Sequence, residues 1–142
     1  MTTPAPEVLL TMPARPEGVG VVRQALAGMA DALDFDPTVL ADMKMAVTEA
    51  CTNVVVHAYD EDAGMLEVEM LADENGLTIV VRDHGAGIQP RPARSEPPAL
   101  GLGLPLIAAL TRAVEMRAGP GGIGTEIAMT FSKDGSEQDM HV

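Results

Sequence analysis

Cysteine occurs once in this chain, at position 51. A single thiol excludes an internal disulfide framework and suits a reducing compartment. Cations are scarce as well: nine Lys and Arg stand against 21 Asp and Glu, a formal charge of −12. Nucleic-acid backbones are gripped by clustered cations, so this balance argues against direct nucleic-acid binding. No apolar run approaches the ~20 residues of a membrane span, and the N-terminus lacks the basic-then-apolar pattern of a secretory signal. These absences lead to the expectation of a soluble, cytoplasmic chain with no membrane partner. Internal repeats are missing too, as is the G-x-x-x-x-G-K-[ST] phosphate loop. What remains is an ordinary globular composition, 142 residues with 46% hydrophobic and 21% charged. A domain of that length buries roughly 68–70% of its unfolded surface and needs no covalent or metal staple.

Residues 1–6 read as a loose end and 133–142 as a polar tail, leaving 7–132 as one domain. A first strand is expected over 7–12, with Val8, Leu10 and Met12 on one face. Pro16 suits a helix start, and Val19, Val22, Leu26, Met29 and Leu33 recur at helical spacing. Asp36 followed by Pro37 signals a second start, from which a long helix is expected to run to about Tyr59. The period then changes to two over 65–72 and 77–83, separated by Glu74-Asn75-Gly76, a hairpin signal. Residues 85–100 hold four prolines and two glycines and read as a long irregular loop. A third helix over 102–111 and a strand pair over 114–117 and 123–131 complete the order. Strands in antiparallel pairs with grouped helices argue for an α+β sandwich, one sheet covered on one face.

In the long helix, Glu49 is the one formally charged side chain between Met45 and Tyr59. Leu40, Met43, Val47, Ala50 and Val54 form the apolar stripe, and Glu49 and Asn53 stack one turn apart along its flank, with His57 continuing the row. A carboxylate beside a core stripe needs compensation. Glu49 can reach solvent or accept hydrogen bonds from a loop, and His57 can cap or pack the helix end. The sharper alternative makes Asn53 an oxygen ligand for Mg²⁺ and Glu49 a general base facing a nucleotide's terminal phosphate.

Two glycine motifs follow. Asp83-His84-Gly85-Ala86-Gly87 succeeds a strand, where an ionised Asp accepts hydrogen bonds and so suits the exocyclic amine of adenine. Gly85 and Gly87 allow the backbone to approach a flat ring, though an Asx turn would use the same residues. Gly101-Leu102-Gly103-Leu104 lies before the third helix, where free N–H groups make an anion cradle. Gly124-Thr125 in the last hairpin places a hydroxyl where it can stand beside the adenine-binding Asp.

Taken in order, E-x-x-x-N, D-x-G-x-G, a Pro-rich segment, G-x-G-x and a late G-T resemble the histidine-kinase-like ATPase superfamily of gyrase, MutL and two-component kinases. Glu49-Ala50-Cys51-Thr52-Asn53 with His57-Ala58-Tyr59 is most similar to its anti-sigma-factor serine kinases of the RsbW type. The resemblance covers about 13–133 and implies an α/β sandwich with a mixed sheet, covered on one face by about three helices, binding ATP and Mg²⁺ under a lid. It implies a serine/threonine-protein kinase that phosphorylates an anti-anti-sigma (STAS-type) protein, sequesters a sigma factor and forms a homodimer. By position it assigns Glu49 as general base, Asn53 as Mg²⁺ ligand and Asp83 as the adenine-selecting carboxylate beside Gly85 and Gly87. Gly101, Leu102 and Gly103 become the phosphate-proximal box and Thr125 the late threonine. Some relatives carry an arginine just before that box, where this chain has Ala99-Leu100; Arg91 and Arg94 are the nearby cations. Ala99 keeps a second reading open, an ATP-gated regulator-binding module without kinase activity.

Overall fold

The computed structural model describes residues 7–58, 64–85 and 100–134. The expected loose N-terminus, most of the C-terminal tail, Tyr59, and the long segment with Gly87, Arg91, Arg94 and Ala99 lie outside the described residues.

The chain begins with strand β1 (Glu7–Pro13), whose alternate residues Val8, Leu10 and Met12 turn toward the core. Helix α1 (Pro16–Ala32) follows, with Pro16 pre-set for its first turn and Val22, Leu26 and Met29 buried at helical spacing. Helix α2 (Pro37–Asn53) is capped by Asp36, whose carboxylate accepts the Thr38 N–H at 3.0 Å and the Thr38 hydroxyl at 2.9 Å. Those two donors hold the Asp36 carboxyl below its ordinary range. Val39, Met43, Ala46, Val47 and Ala50 are buried along it, while Leu40 is half-buried. Cys51 joins this core, and its burial pushes the thiol up to about 12, which leaves it un-ionised and inert.

The expected long helix changes character at its end. The α-helical bonding stops at Asn53 and a π-helical turn, Val54–Ala58, takes over. A π turn has i→i+5 bonding, so the regular α-helical spacing ends at Asn53. Three consecutive β-branched residues, Val54, Val55 and Val56, crowd this turn and disfavour tight α winding.

Strands β2 (Met65–Ala72) and β3 (Gly76–Asp83) form the expected hairpin. Its turn is closed by Asp73, whose carboxylate accepts the N–H groups of Asn75 (2.7 Å) and Gly76 (2.9 Å). Gly76 is required for close approach: a Cβ there would run into the carbonyl oxygen of Phe131. Helix α3 (Leu100–Leu110) starts two residues before the expected 102, so Gly101 joins Leu102 and Gly103 in its first turn. It also contains Pro105, which has no N–H to bond the Gly101 carbonyl. Strand β4 (Ala113–Ala118), a short 3₁₀ turn (Pro120–Gly122) and strand β5 (Thr125–Ser132) end the described chain.

The five strands form one sheet in the order β1-β2-β3-β5-β4. The mixed sheet implied by the resemblance is not what the pairings show; all are antiparallel. The reason lies in the connections. Helices α1 and α2 are two passes between β1 and β2, so the chain re-enters the sheet reversed. Helix α3 is a single pass, which sends β4 in the direction of β3, and β5 fills the gap between them antiparallel to both. The helices lie together, α2 between α1 and α3. Their apolar faces meet Leu66, Val68, Met70, Leu77, Ile79, Val81, Ile127, Met129 and Phe131 from the sheet.

The opposite face of the sheet carries charge. Register aligns Glu67, Arg82, Glu126 and Arg117 across β2, β3, β5 and β4 in alternating sign. Arg82 donates through Nε to Glu126 Oε1 (2.6 Å), through Nη1 to Glu67 Oε1 (3.1 Å) and through Nη2 to Glu69 Oε1 (2.8 Å). Arg117 Nε donates to the other Glu126 oxygen at 2.7 Å and its Nη1 to Glu115 at 2.9 Å. Opposite charges placed directly across strands reinforce a sheet.

Candidate functional site

Glu49 and Asn53 sit in the last turns of α2, one turn apart on the same face. Glu49 is half-buried. Asn53 is 5% exposed, and its Nδ2 is buried with no hydrogen-bond partner. A buried amide left unmatched costs about 1–3 kcal/mol, and such groups persist in folds where something else meets them. The amide rotates readily about χ2, so the same position can present either an N–H or an oxygen. The π turn that begins at Val54 packs on β3, which places this helix end against the strand that terminates in Asp83.

Asp83 is 2% exposed. Burial pushes its carboxyl above the ordinary value, against the opposing effect of N–H donors from Gly85 and Thr125. The Gly85 N–H reaches Oδ1 at 3.1 Å. Thr125 is buried and is the register partner of Asp83 across β3 and β5. Between them Gly124 takes a left-handed φ of 75°, and a Cβ there would collide with the Asp83 carbonyl oxygen. Only glycine both accepts that backbone angle without strain and leaves that approach open. The structure therefore brings Asp83, Gly85 and Thr125 together at one end of the sheet, and Glu49 with Asn53 at the helix end above β3. Gly101, Leu102 and Gly103 open α3, which packs on α2. Gly87 lies outside the described residues, and His57 falls within the π turn.

Among the described residues, no three His, Cys, Asp or Glu side chains gather as a metal cluster. A cation here would rest on the Asn53 amide oxygen, phosphate oxygens and water, a donor set that suits Mg²⁺, which keeps several waters and binds few protein ligands.

Residues 12–131 match the Histidine kinase-like ATPase domain family. This chain belongs to that family. This histidine kinase-like ATPase domain is 38% identical over 90 residues to the serine-protein kinase RsbW of Bacillus cereus (strain AH820), covering 63% of this chain and 56% of that protein. It is 41% identical over 86 residues to the serine-protein kinase RsbW of Bacillus velezensis (strain DSM 23117 / BGSC 10A6 / LMG 26770 / FZB42), covering 60% and 54%. The chain thus spans about half the length of the curated relatives it matches. In three dimensions it superposes on the RsbU and RsbW domains of Rv1364c from Mycobacterium tuberculosis with a TM-score of 0.69 at 26% identity, covering 91% of this chain and 32% of that one. A histidine kinase domain from Erythrobacter litoralis EL346 shares the fold, with a TM-score of 0.53 at 15% identity, covering 96% and 67%. The α+β ATPase fold expected from the motifs is the fold of this chain.

Two features of the site escape a reading of motifs. Gly124 has a signal in the sequence, its place before Thr125, but its need for a left-handed angle against Asp83 depends on the strand pairing. The ion-pair row next to Asp83 and Thr125 has none, because the partners lie 15 and 44 residues apart.

Proposed function

We propose that this domain is an ATP-dependent serine/threonine-protein kinase and anti-sigma factor. It phosphorylates a serine on an anti-anti-sigma protein of the STAS type, sequesters a sigma factor, and works as a cytoplasmic homodimer. The name carried by its relatives, serine-protein kinase, supports the reaction class. The observation that carries the reading is the buried, unmatched amide of Asn53 one turn beyond Glu49.

Asp83 accepts the exocyclic amine of adenine and disfavours guanine, whose oxygen would meet a carboxylate. Thr125, Gly85 and Gly87 flank the base, and the N–H groups of Gly101, Leu102 and Gly103 at the start of α3 face the phosphates. Asn53 holds Mg²⁺, which supplies neutralisation of phosphate charge when bound. Glu49 takes the proton of the serine hydroxyl. The serine oxygen bonds to the γ-phosphorus, the bond from that phosphorus to the bridging oxygen breaks, and ADP leaves with the electron pair.

The test mixes the chain with Mg-ATP labelled at the γ-phosphate and a STAS-type candidate. Glu49→Gln should keep ATP affinity and lose transfer by about 10²–10⁴-fold, whereas Asn53→Ala should lose Mg²⁺-dependent binding. Equal loss of binding in both variants would sink this division of roles. The second reading, an ATP-gated binding module, rests on Ala99-Leu100, where some members of the resembled family carry an arginine. Nucleotide-dependent association without transfer would establish that reading instead.

A further inference from the structure

The pair that places Asp83 opposite Thr125 is the last rung of the β3–β5 ladder: Asp83 ends β3 and Thr125 begins β5. Terminal rungs open most readily, since strand ends have the fewest neighbours to hold them. The rung immediately inside is Arg82 opposite Glu126, with both side chains on the far face of the sheet. Arg82 places each of its three nitrogens on a different carboxylate, those of Glu126, Glu67 and Glu69, and so spans β2, β3 and β5. Glu126 spends its second oxygen on Arg117 and extends the tie to β4. The side chains of Arg82 and Glu126 are 19% and 10% exposed, so the pair is partly withdrawn from water and its geometry is held. A planar guanidinium suits this work because its fork is pre-organised, which an ammonium is not.

We infer that Arg82 and Glu126 are positioning residues for nucleotide selection: their ion pair clamps the end of the β3–β5 ladder, so that Asp83 and Thr125 keep the spacing that adenine recognition requires. The inference rests on the reading of Asp83 as the adenine acceptor. Gly124 makes the spacing exacting, because its backbone lies against the Asp83 carbonyl with no room for a Cβ. A clamp on the solvent face thereby acts on a carboxylate that points the other way, through one residue of backbone on each strand.

The experiment measures affinities of the full chain for Mg-ATP and Mg-GTP by calorimetry, at a temperature well below each variant's melting point. Glu126→Gln keeps the shape of the side chain and removes its charge; Arg82→Lys keeps the charge and removes the fork. Each should weaken ATP binding about tenfold, the equivalent of one charge-assisted hydrogen bond, and leave GTP binding near its original value. The ATP-to-GTP ratio is the deciding readout, because partial unfolding lowers both affinities alike. Glu115→Gln, which removes only the exposed partner of Arg117, should leave the ratio unchanged. If Asp83→Asn lowers the ratio while Glu126→Gln and Arg82→Lys do not, the clamp is overturned. If Asp83→Asn itself leaves the ratio unaltered, the reading of Asp83 fails and the clamp with it.

Discussion

Asn53 shows how a proposed site residue can work against the fold that carries it. Its Nδ2 is buried without a partner, so the ligand-free chain bears a desolvation cost of about 1–3 kcal/mol there. An apolar residue of similar volume removes that cost. We predict that Asn53→Leu raises the melting temperature of the nucleotide-free chain and abolishes Mg²⁺-dependent ATP binding; thermal unfolding beside calorimetry checks both halves. A lowered melting temperature would mean that the amide is satisfied in the folded chain. Asp83 behaves similarly by charge. Its carboxyl is pushed above 3.8 by burial, so its contribution to stability is fully present below that pH and is lost as pH rises through the folded value. Asp83→Asn is therefore expected to be at least as stable as the parent at pH 7 and to lose that advantage below about pH 4. Urea unfolding at the two pH values reads the difference, and equal offsets at both would refute it.

Helix α2 begins with a cap visible in the sequence and ends in a way that is not. Asp36 and Pro37 announce the start, and the structure puts the Asp36 carboxylate on the Thr38 N–H and hydroxyl. Asp36→Ala should lower the melting temperature, because two donors of the first turn lose their acceptor. Circular dichroism melts would show it, and an unchanged midpoint would mean that water replaces the cap without loss. Apolar periodicity located α1, α2 and strands β1 to β3 because burial imposes it residue by residue. The π turn after Asn53 left no trace, since the size of a hydrogen-bonded ring is set by crowding among Val54, Val55 and Val56, and helical spacing tolerates either bonding pattern over five residues. The start of α3 lies two residues before the expected 102 for a related reason: Gly101 favours loop by propensity, yet packing of Leu104 and Ile107 draws the first turn into helix.

Among the described residues, the charged row of the sheet, acids and bases together, lies on the face turned away from the helices, and Asp83 lies on the helix-covered face. Glu49 and Asn53 were legible because E-x-x-x-N lies within one helix, and Asp83 because it closes a strand. The ion-pair row on the other face was not, because it assembles only when four strands reach register. Hydrogen bonds from Arg117 and Arg82 hold Glu126 below its ordinary 4.5, and the one from Arg82 does the same for Glu69. A lowered carboxyl contributes stability above 4.5 that is lost as pH falls through the folded value. Glu126→Gln should thus cost about 1 kcal/mol at pH 7, a figure kept small by solvent screening, and little below pH 4. Denaturant titrations across that range test the slope; a cost independent of pH would assign the effect to packing.

Pro105 has one more effect. By withholding the bond that would tie Gly101 to the second turn, it perforates α3 behind the residues proposed to face the phosphates. The leading turn can unzip while Ile107 stays anchored in the core. Amide protons at 102–104 should then trade with deuterium well before those at 107–110, and nucleotide should narrow the gap. The prolyl ring makes that stretch a tear-off strip, attached firmly on one side only.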